Sequence, residues 1–118
     1  MTQMRLAYVN VAVSGLDRAV AFFRDRVGLA LKFSDTDFGY AEFDTPGAGF
    51  AVVRDAERAG RHTGIGFAVE DLDAAHARLL EAGVEFTRPP TREPWGGYMA
   101  IFADPDGNTF YLDQIPAD

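Results

Sequence analysis

The chain states one pattern twice, and a duplicated unit restricts the fold more than any other feature a sequence can carry. The segment VAVSGLDRAVAFFRDRVGLAL from Val11 matches FAVEDLDAAHARLLEAGVEF from Phe67. At an offset of 56 residues, Val13, Leu16, Asp17 and Ala19 fall on Val69, Leu72, Asp73 and Ala75. After a one-residue deletion, Gly28 falls on Gly83. Further on, Gly39-Tyr40 answers Gly97-Tyr98, and Phe50 and Val52 answer Phe110 and Leu112. The 118 residues therefore read as two copies of one module, about 4–54 and 62–116, joined by DAERAGR at 55–61.

Each copy has the same grammar. Val9, Val11 and Val13 alternate with Tyr8, Asn10 and Ala12; Ile65, Phe67 and Val69 alternate with Gly64, Gly66 and Ala68. Period two means a strand in both places. A helix follows: Ser14 and Asp17 have capping-box spacing, and Leu16, Val20, Phe23 and Val27 form one stripe before Gly28. In the second copy Leu72, His76 and Leu79 hold the stripe and Gly83 ends it. Three strands close each module, over 29–34, 38–44 and 49–54 and over 84–88, 98–103 and 109–114. The turn Asp104-Pro105-Asp106-Gly107 leads into the last strand, where Phe110 and Leu112 point one way and Tyr111 and Asp113 the other. The expected fold is α+β: two tandem βαβββ modules, helices on one face of the sheet and the other face open.

The absence of cysteine excludes disulfides, thiolate metal sites and cysteine nucleophiles. The opening MTQMRLAYVN lacks the pattern of a secretory signal, and no apolar run reaches the ~18 residues that span a bilayer. A cytoplasmic protein without membrane partners is expected. Eleven basic against eighteen acidic side chains give a net charge of −7, which repels phosphate backbones and makes nucleic acid a poor partner. The same field mildly favours a cationic small molecule. Thr45-Pro46-Gly47-Ala48-Gly49-Phe50 is Gly-rich but leads into no helix, so it is no phosphate loop.

A doubled βαβββ unit with VSGLDRAVAFFRDRVGL after its first strand and FADPDGNTFYLDQ at its end resembles the vicinal oxygen chelate superfamily, which holds glyoxalase I, extradiol dioxygenases and the fosfomycin- and bleomycin-resistance proteins. The resemblance implies that the modules curl into a cup, often completed by a second copy of the chain. It also implies four metal ligands, one from the first and one from the last strand of each module. Those positions fall on Tyr8, Ala51, Gly64 and Tyr111. Ala and Gly have no donor atom, and a tyrosine ligand must lose a proton of pKa ~10. The substitutes within reach in the sequence are His62, Glu42 and Asp113.

Small residues on the open face (Ala12, Ala51, Gly64, Gly66, Ala68) leave volume, and the chain supplies aromatic and polar groups around it. The expected ligand-binding residues are Tyr8, Asn10, Phe38, Tyr40, Glu42, Trp95, Tyr98, Tyr111 and Asp113, with Trp95 a lid or a surface hinge. His76 reads as a packed helix residue, and Phe22 and Phe23 as core or dimer contacts. The leading expectation is a homodimer of the bleomycin-resistance type that sequesters an aromatic compound, cationic or neutral, with no cofactor. Two other readings stand beside it: a metal-dependent lyase or dioxygenase with Glu42 as a base, and a domain whose open face serves only dimerisation.

Overall fold

The computed structural model describes residues 3–116. The chain divides into two compact units, Met1–Ala59 and Gly60–Asp118. In the first, β1 (Tyr8–Val13) leads through α1 (Leu16–Ala21) to β2 (Ala30–Asp35), β3 (Tyr40–Asp44) and β4 (Gly49–Arg54). Its sheet has the order β1-β4-β3-β2, with β1 parallel to β4 and the other pairs antiparallel. In the second, β5 (His62–Val69), α2 (Leu72–Glu81), β6 (Glu85–Arg92), β7 (Tyr98–Ala103) and β8 (Thr109–Gln114) repeat the plan as β5-β8-β7-β6. The expected α+β class and the βαβββ order hold in both units.

The helix side of each sheet is its apolar face. In the first unit the Phe23 ring lies 4.9 Å from Phe22, 5.9 Å from Phe43 and 4.9 Å from Phe50. Phe22 and Phe23 are both buried, so they serve the core. The α1 helix widens into a π-helical turn over Phe22–Val27, where the Gly28 N–H donates to the Phe23 carbonyl five residues back. Gly28 then leaves the helix at φ 95°, as expected of its position. The N-cap is Gly15 rather than Ser14, whose hydroxyl accepts from Arg18 Nη2 at 2.7 Å. In the second unit Asp71 caps α2 by accepting from the Ala74 N–H. Leu72 and Leu79 are buried, and His76 packs edge-on against Phe86 at 4.5 Å. Phe102 stacks on Phe110 at 5.3 Å, with Phe67 and Phe86 beside it.

The turn before β8 is a structural staple. Asp104 Oδ1 accepts from the Asp106 and Asn108 N–H groups, and its Oδ2 accepts from Asn108 Nδ2. Asn108 Oδ1 in turn accepts from the N–H groups of Gly60 and Arg61, at 2.8 and 2.9 Å. Both side chains are buried. The turn thereby pins the chain entering β5 beside the start of β8. Burial pushes the Asp104 carboxyl up from its ordinary range against the pull of these hydrogen bonds.

Bulges set which residues reach the open faces. Leu31 pairs with Phe43, but Phe33 pairs with Glu42, so one extra residue, Lys32, lies between them. The second unit repeats this: Phe86 pairs with Phe102 and Arg88 with Ile101. A bulge shifts period two by one and turns the following side chain to the other face. Strand β6 runs on to Arg92, past the end expected at 88; as the sheet edge it tolerates Pro89 and Pro90.

Register also corrects one equivalence between the copies. Tyr40 and Glu42 pair with Val53 and Ala51, whereas Met99 and Ile101 pair with Asp113 and Tyr111. Since Phe50 answers Phe110, the counterpart of Tyr40 is Met99. Tyr98 answers Gly39 and lies on the helix side.

Candidate functional site

The helix-free face of the first unit is built from four neighbouring strands. Asn10 pairs with Ala51, which pairs with Glu42, which pairs with Phe33. Tyr8 pairs with Gly49, and Tyr40 stands beside Glu42. A Cβ on Gly49 would lie 3.3 Å from Glu42 Oε2 and 3.5 Å from Tyr8 Cβ, so this glycine seats both side chains. The Tyr40 hydroxyl donates to Glu42 Oε1 at 3.1 Å, and Lys32 Nζ donates to Oε2 at 3.3 Å. Burial first, then the Glu42 hydrogen bond, raise the Tyr40 phenol above its usual pKa. Glu42 is thus occupied on both oxygens, which speaks against the role of base. The Phe33 ring lies 5.7 Å from that of Tyr40. Period two assigns Phe33 to the core beside Leu31; the Lys32 bulge carries it to the open face instead, and Lys32 itself gives no sign of a bulge.

The corresponding face of the second unit has a different chemistry. Gly66 pairs with Tyr111, which pairs with Ile101; Ala68 pairs with Asp113, which pairs with Met99. The first strand is irregular here. Thr63 Oγ1 donates to the Thr109 carbonyl and accepts from the Ile65 N–H, and Gly64 takes φ 73°. Four residues on β5 thus span two on β8, and His62 comes opposite Thr109, the register that Tyr8 occupies against Gly49 in the first unit. His62 Nδ1 lies 2.7 Å from Thr109 Oγ1 and Nε2 lies 3.0 Å from the Tyr111 hydroxyl. The imidazole packs edge-on against the Tyr111 ring at 4.9 Å.

Asp113 is the contrasting group. Its carboxylate has no hydrogen bond or ion pair to any described residue, and a Cβ on Gly66 would lie 3.2 Å from its Oδ2. Partial burial alone raises its pKa above the ordinary carboxylate range.

The other expected site residues lie elsewhere. Tyr98 donates to Asp73 Oδ1 of α2 at 2.5 Å, and Arg92 sits 4.2 Å over its ring. It covers the helix side, which corrects its assignment to the open face. Phe38 belongs to the turn before β3, exposed, with its N–H on Asp35 Oδ1. Trp95 is at the tip of the β6–β7 loop and largely exposed. A Cβ on Gly97 would meet its Nε1 at 2.8 Å, so the indole folds back onto glycine backbone.

The donors at the four implied metal positions do not fit a divalent ion. Ala51 and Gly64 offer none, and Tyr8 and Tyr111 offer only phenols. His62, Glu42 and Asp113 do not supply a replacement: among the described residues no three His, Asp or Glu side chains gather in a metal-binding group. Both nitrogens of His62 already face hydroxyls of β8. No helix among the described residues is long and apolar enough to cross a membrane.

Known proteins of the same build carry the comparison further. A sequence model of the glyoxalase/bleomycin resistance protein/dioxygenase superfamily matches residues 5–112. A superfamily member from Sphaerobacter thermophilus DSM 20745 is 31% identical, with a TM-score of 0.80 over 94% of this chain and 97% of that one. TnmS3, an antibiotic binding protein from Streptomyces sp. CB03234, is 30% identical, with a TM-score of 0.81 over 99% of each chain. The uncharacterized protein YraH of Bacillus subtilis (strain 168) is 28% identical over 95% of this chain and 99% of its own. With a duplicated βαβββ fold and a family match over nearly its whole length, the chain belongs to the glyoxalase/bleomycin resistance protein/dioxygenase superfamily.

Proposed function

We propose that this protein binds a small aromatic compound on a helix-free sheet face without a metal ion, and that it does so as a cytoplasmic homodimer. The observation that carries the reading is the donor set: where a metal-dependent member needs His, Gln or Glu, Tyr8, Ala51 and Tyr111 stand at three positions, and His62, which the β5 bulge brings to the fourth register, has both ring nitrogens on hydroxyls of β8. Tyr8, Phe33 and Tyr40 supply ring surface on one unit, and Gly66 and Ala68 leave room beside Tyr111 on the other. Stacking and S–aromatic contacts of about 0.5–1.5 kcal/mol each, the latter to Met99, fit sequestration with no bond made or broken. The antibiotic-binding relative TnmS3, alike over its whole length, supports the same role. Exposed Met4 and Leu6, just ahead of the edge strand β1, are suited to contact with a second copy.

Thermal unfolding in the presence of candidate ligands tests the reading. A panel of planar aromatic compounds should raise the midpoint, while Mn²⁺, Ni²⁺ and Zn²⁺ leave it within about 1 °C. A large shift with a metal alone, lost in His62→Ala, would instead point to a metal-dependent enzyme.

A further inference from the structure

We propose that Asp113 is the charge-recognition residue of the second unit's open face, and that the ligand class there is therefore an aromatic compound bearing one positive charge. The assignment rests on the aromatic-binding reading above and deepens it. By register, the helix-free faces carry Asp35, Glu42 and Asp44 in one unit and Glu85 and Asp113 in the other. Asp35, Asp44 and Glu85 are exposed and hydrated; Glu42 and Asp113 are drawn back from water. Those two differ in one respect that decides the matter. Glu42 has the Tyr40 hydroxyl on one oxygen and the Lys32 ammonium near the other, so its charge is answered within the chain. Asp113 has neither.

No neighbour of Asp113 answers it either: the cation on the same face, Arg88 opposite Ile101, is held by Glu93 Oε1 at 2.7 Å. Its cross-strand partners are Ala68 and Met99, which carry no donor, and the one hydroxyl two residues along, on Tyr111, is turned toward His62. A partly desolvated carboxylate without a partner costs stability, and such a group is tolerated where a partner arrives from outside. The approach is open, because Gly66 has no side chain at the place where a Cβ would stand 3.2 Å from Oδ2. A charge-assisted hydrogen bond or ion contact there is roughly twice as strong as a neutral one, and the net charge of −7 draws a cation toward it. One unanswered carboxylate calls for one positive charge.

A pair of dyes of nearly the same shape isolates this term: N-methylacridinium, a permanent cation, and acridine, neutral at pH 8. Titrations of both, followed by Trp95 quenching and dye anisotropy, should give about tenfold tighter binding of the cation. Asp113→Asn should bring the two affinities within about twofold, and Asp113→Glu should retain the preference. Glu57→Gln, an exposed site with the same loss of charge, should also retain it. Equal affinities in the unaltered protein, or a preference that survives in a folded Asp113→Asn variant, would overturn the assignment while the aromatic-binding reading stands. Failure of both dyes to bind would overturn that reading and this one together.

Discussion

The imidazole of His62 stands against the phenol of Tyr111, Nε2 to hydroxyl at 3.0 Å, because a bulge in β5 brings the histidine two residues past its regular register. The contact fixes where the Tyr111 hydroxyl points, and with it the polar edge of the second unit's open face. A double-mutant cycle of His62→Ala and Tyr111→Phe should give a coupling of about 0.5–1 kcal/mol in chemical denaturation. Additive effects would mean that the two groups do not act as a pair.

Asn108 holds four hydrogen-bonding groups in place at once: two backbone N–H groups ahead of β5, the Asp104 carboxylate and its own turn. Asn108→Leu leaves the part-buried N–H groups of Gly60 and Arg61 and one oxygen of the buried Asp104 carboxylate without partners, at about 1–3 kcal/mol each. A loss of roughly 3 kcal/mol or more is expected, with cooperative unfolding at a lower temperature. Asp104→Asn should also destabilise, since an amide at that site sets a donor against Asn108 Nδ2, and Asn108 cannot turn over without releasing Gly60 and Arg61.

Stability should depend on pH through Asp113 in a defined direction. Its folded-state pKa is raised by burial, so the folded chain holds the proton more readily than the unfolded one. The Asp113 contribution is therefore most favourable below the ordinary carboxylate range and declines as pH rises through its raised folded value. Asp113→Asn should accordingly increase the unfolding temperature modestly at pH 7, and the difference should vanish toward pH 3. A variant less stable than the parent at pH 7 would contradict a carboxylate without partners.

Gly97 governs the position of Trp95. Gly97→Ala places a methyl group within 2.8 Å of the indole nitrogen, closer than the indole can remain. The Trp95 emission spectrum should shift, and acridine quenching should weaken several-fold if the indole covers the bound ring. An unchanged spectrum would show that the tryptophan is not seated on this glycine.

Much of this architecture is legible in the residues themselves. The repeat of VSGLD in VEDLD, the apolar alternation of β1 and β5, and the opposed faces of Phe110–Leu112 and Tyr111–Asp113 follow from burial at period two or 3.6, and the structure keeps them. The bulges are what the sequence hides. Lys32 opens one and Thr87 lies in the other, ordinary residues in a strand, and each reverses the facing of the residues after it. Phe33 is consequently a surface of the site that periodicity assigns to the core. Tyr98 errs the opposite way: aligning it with Tyr40 through the shared Gly-Tyr is one residue out of register, and one residue suffices to move it from the open face to Asp73. His62 reaches Tyr111 only through the irregular stretch Thr63–Ile65, whose sole sequence marker is a glycine among glycines.

The most direct measurement is a calorimetric titration of the intact protein with a planar aromatic cation such as N-methylacridinium, run in excess EDTA and again with added Ni²⁺ or Zn²⁺. Metal-free recognition predicts saturable binding in the chelator, with the same affinity when the metals are present. Binding that appears only once a divalent ion is supplied would contradict it.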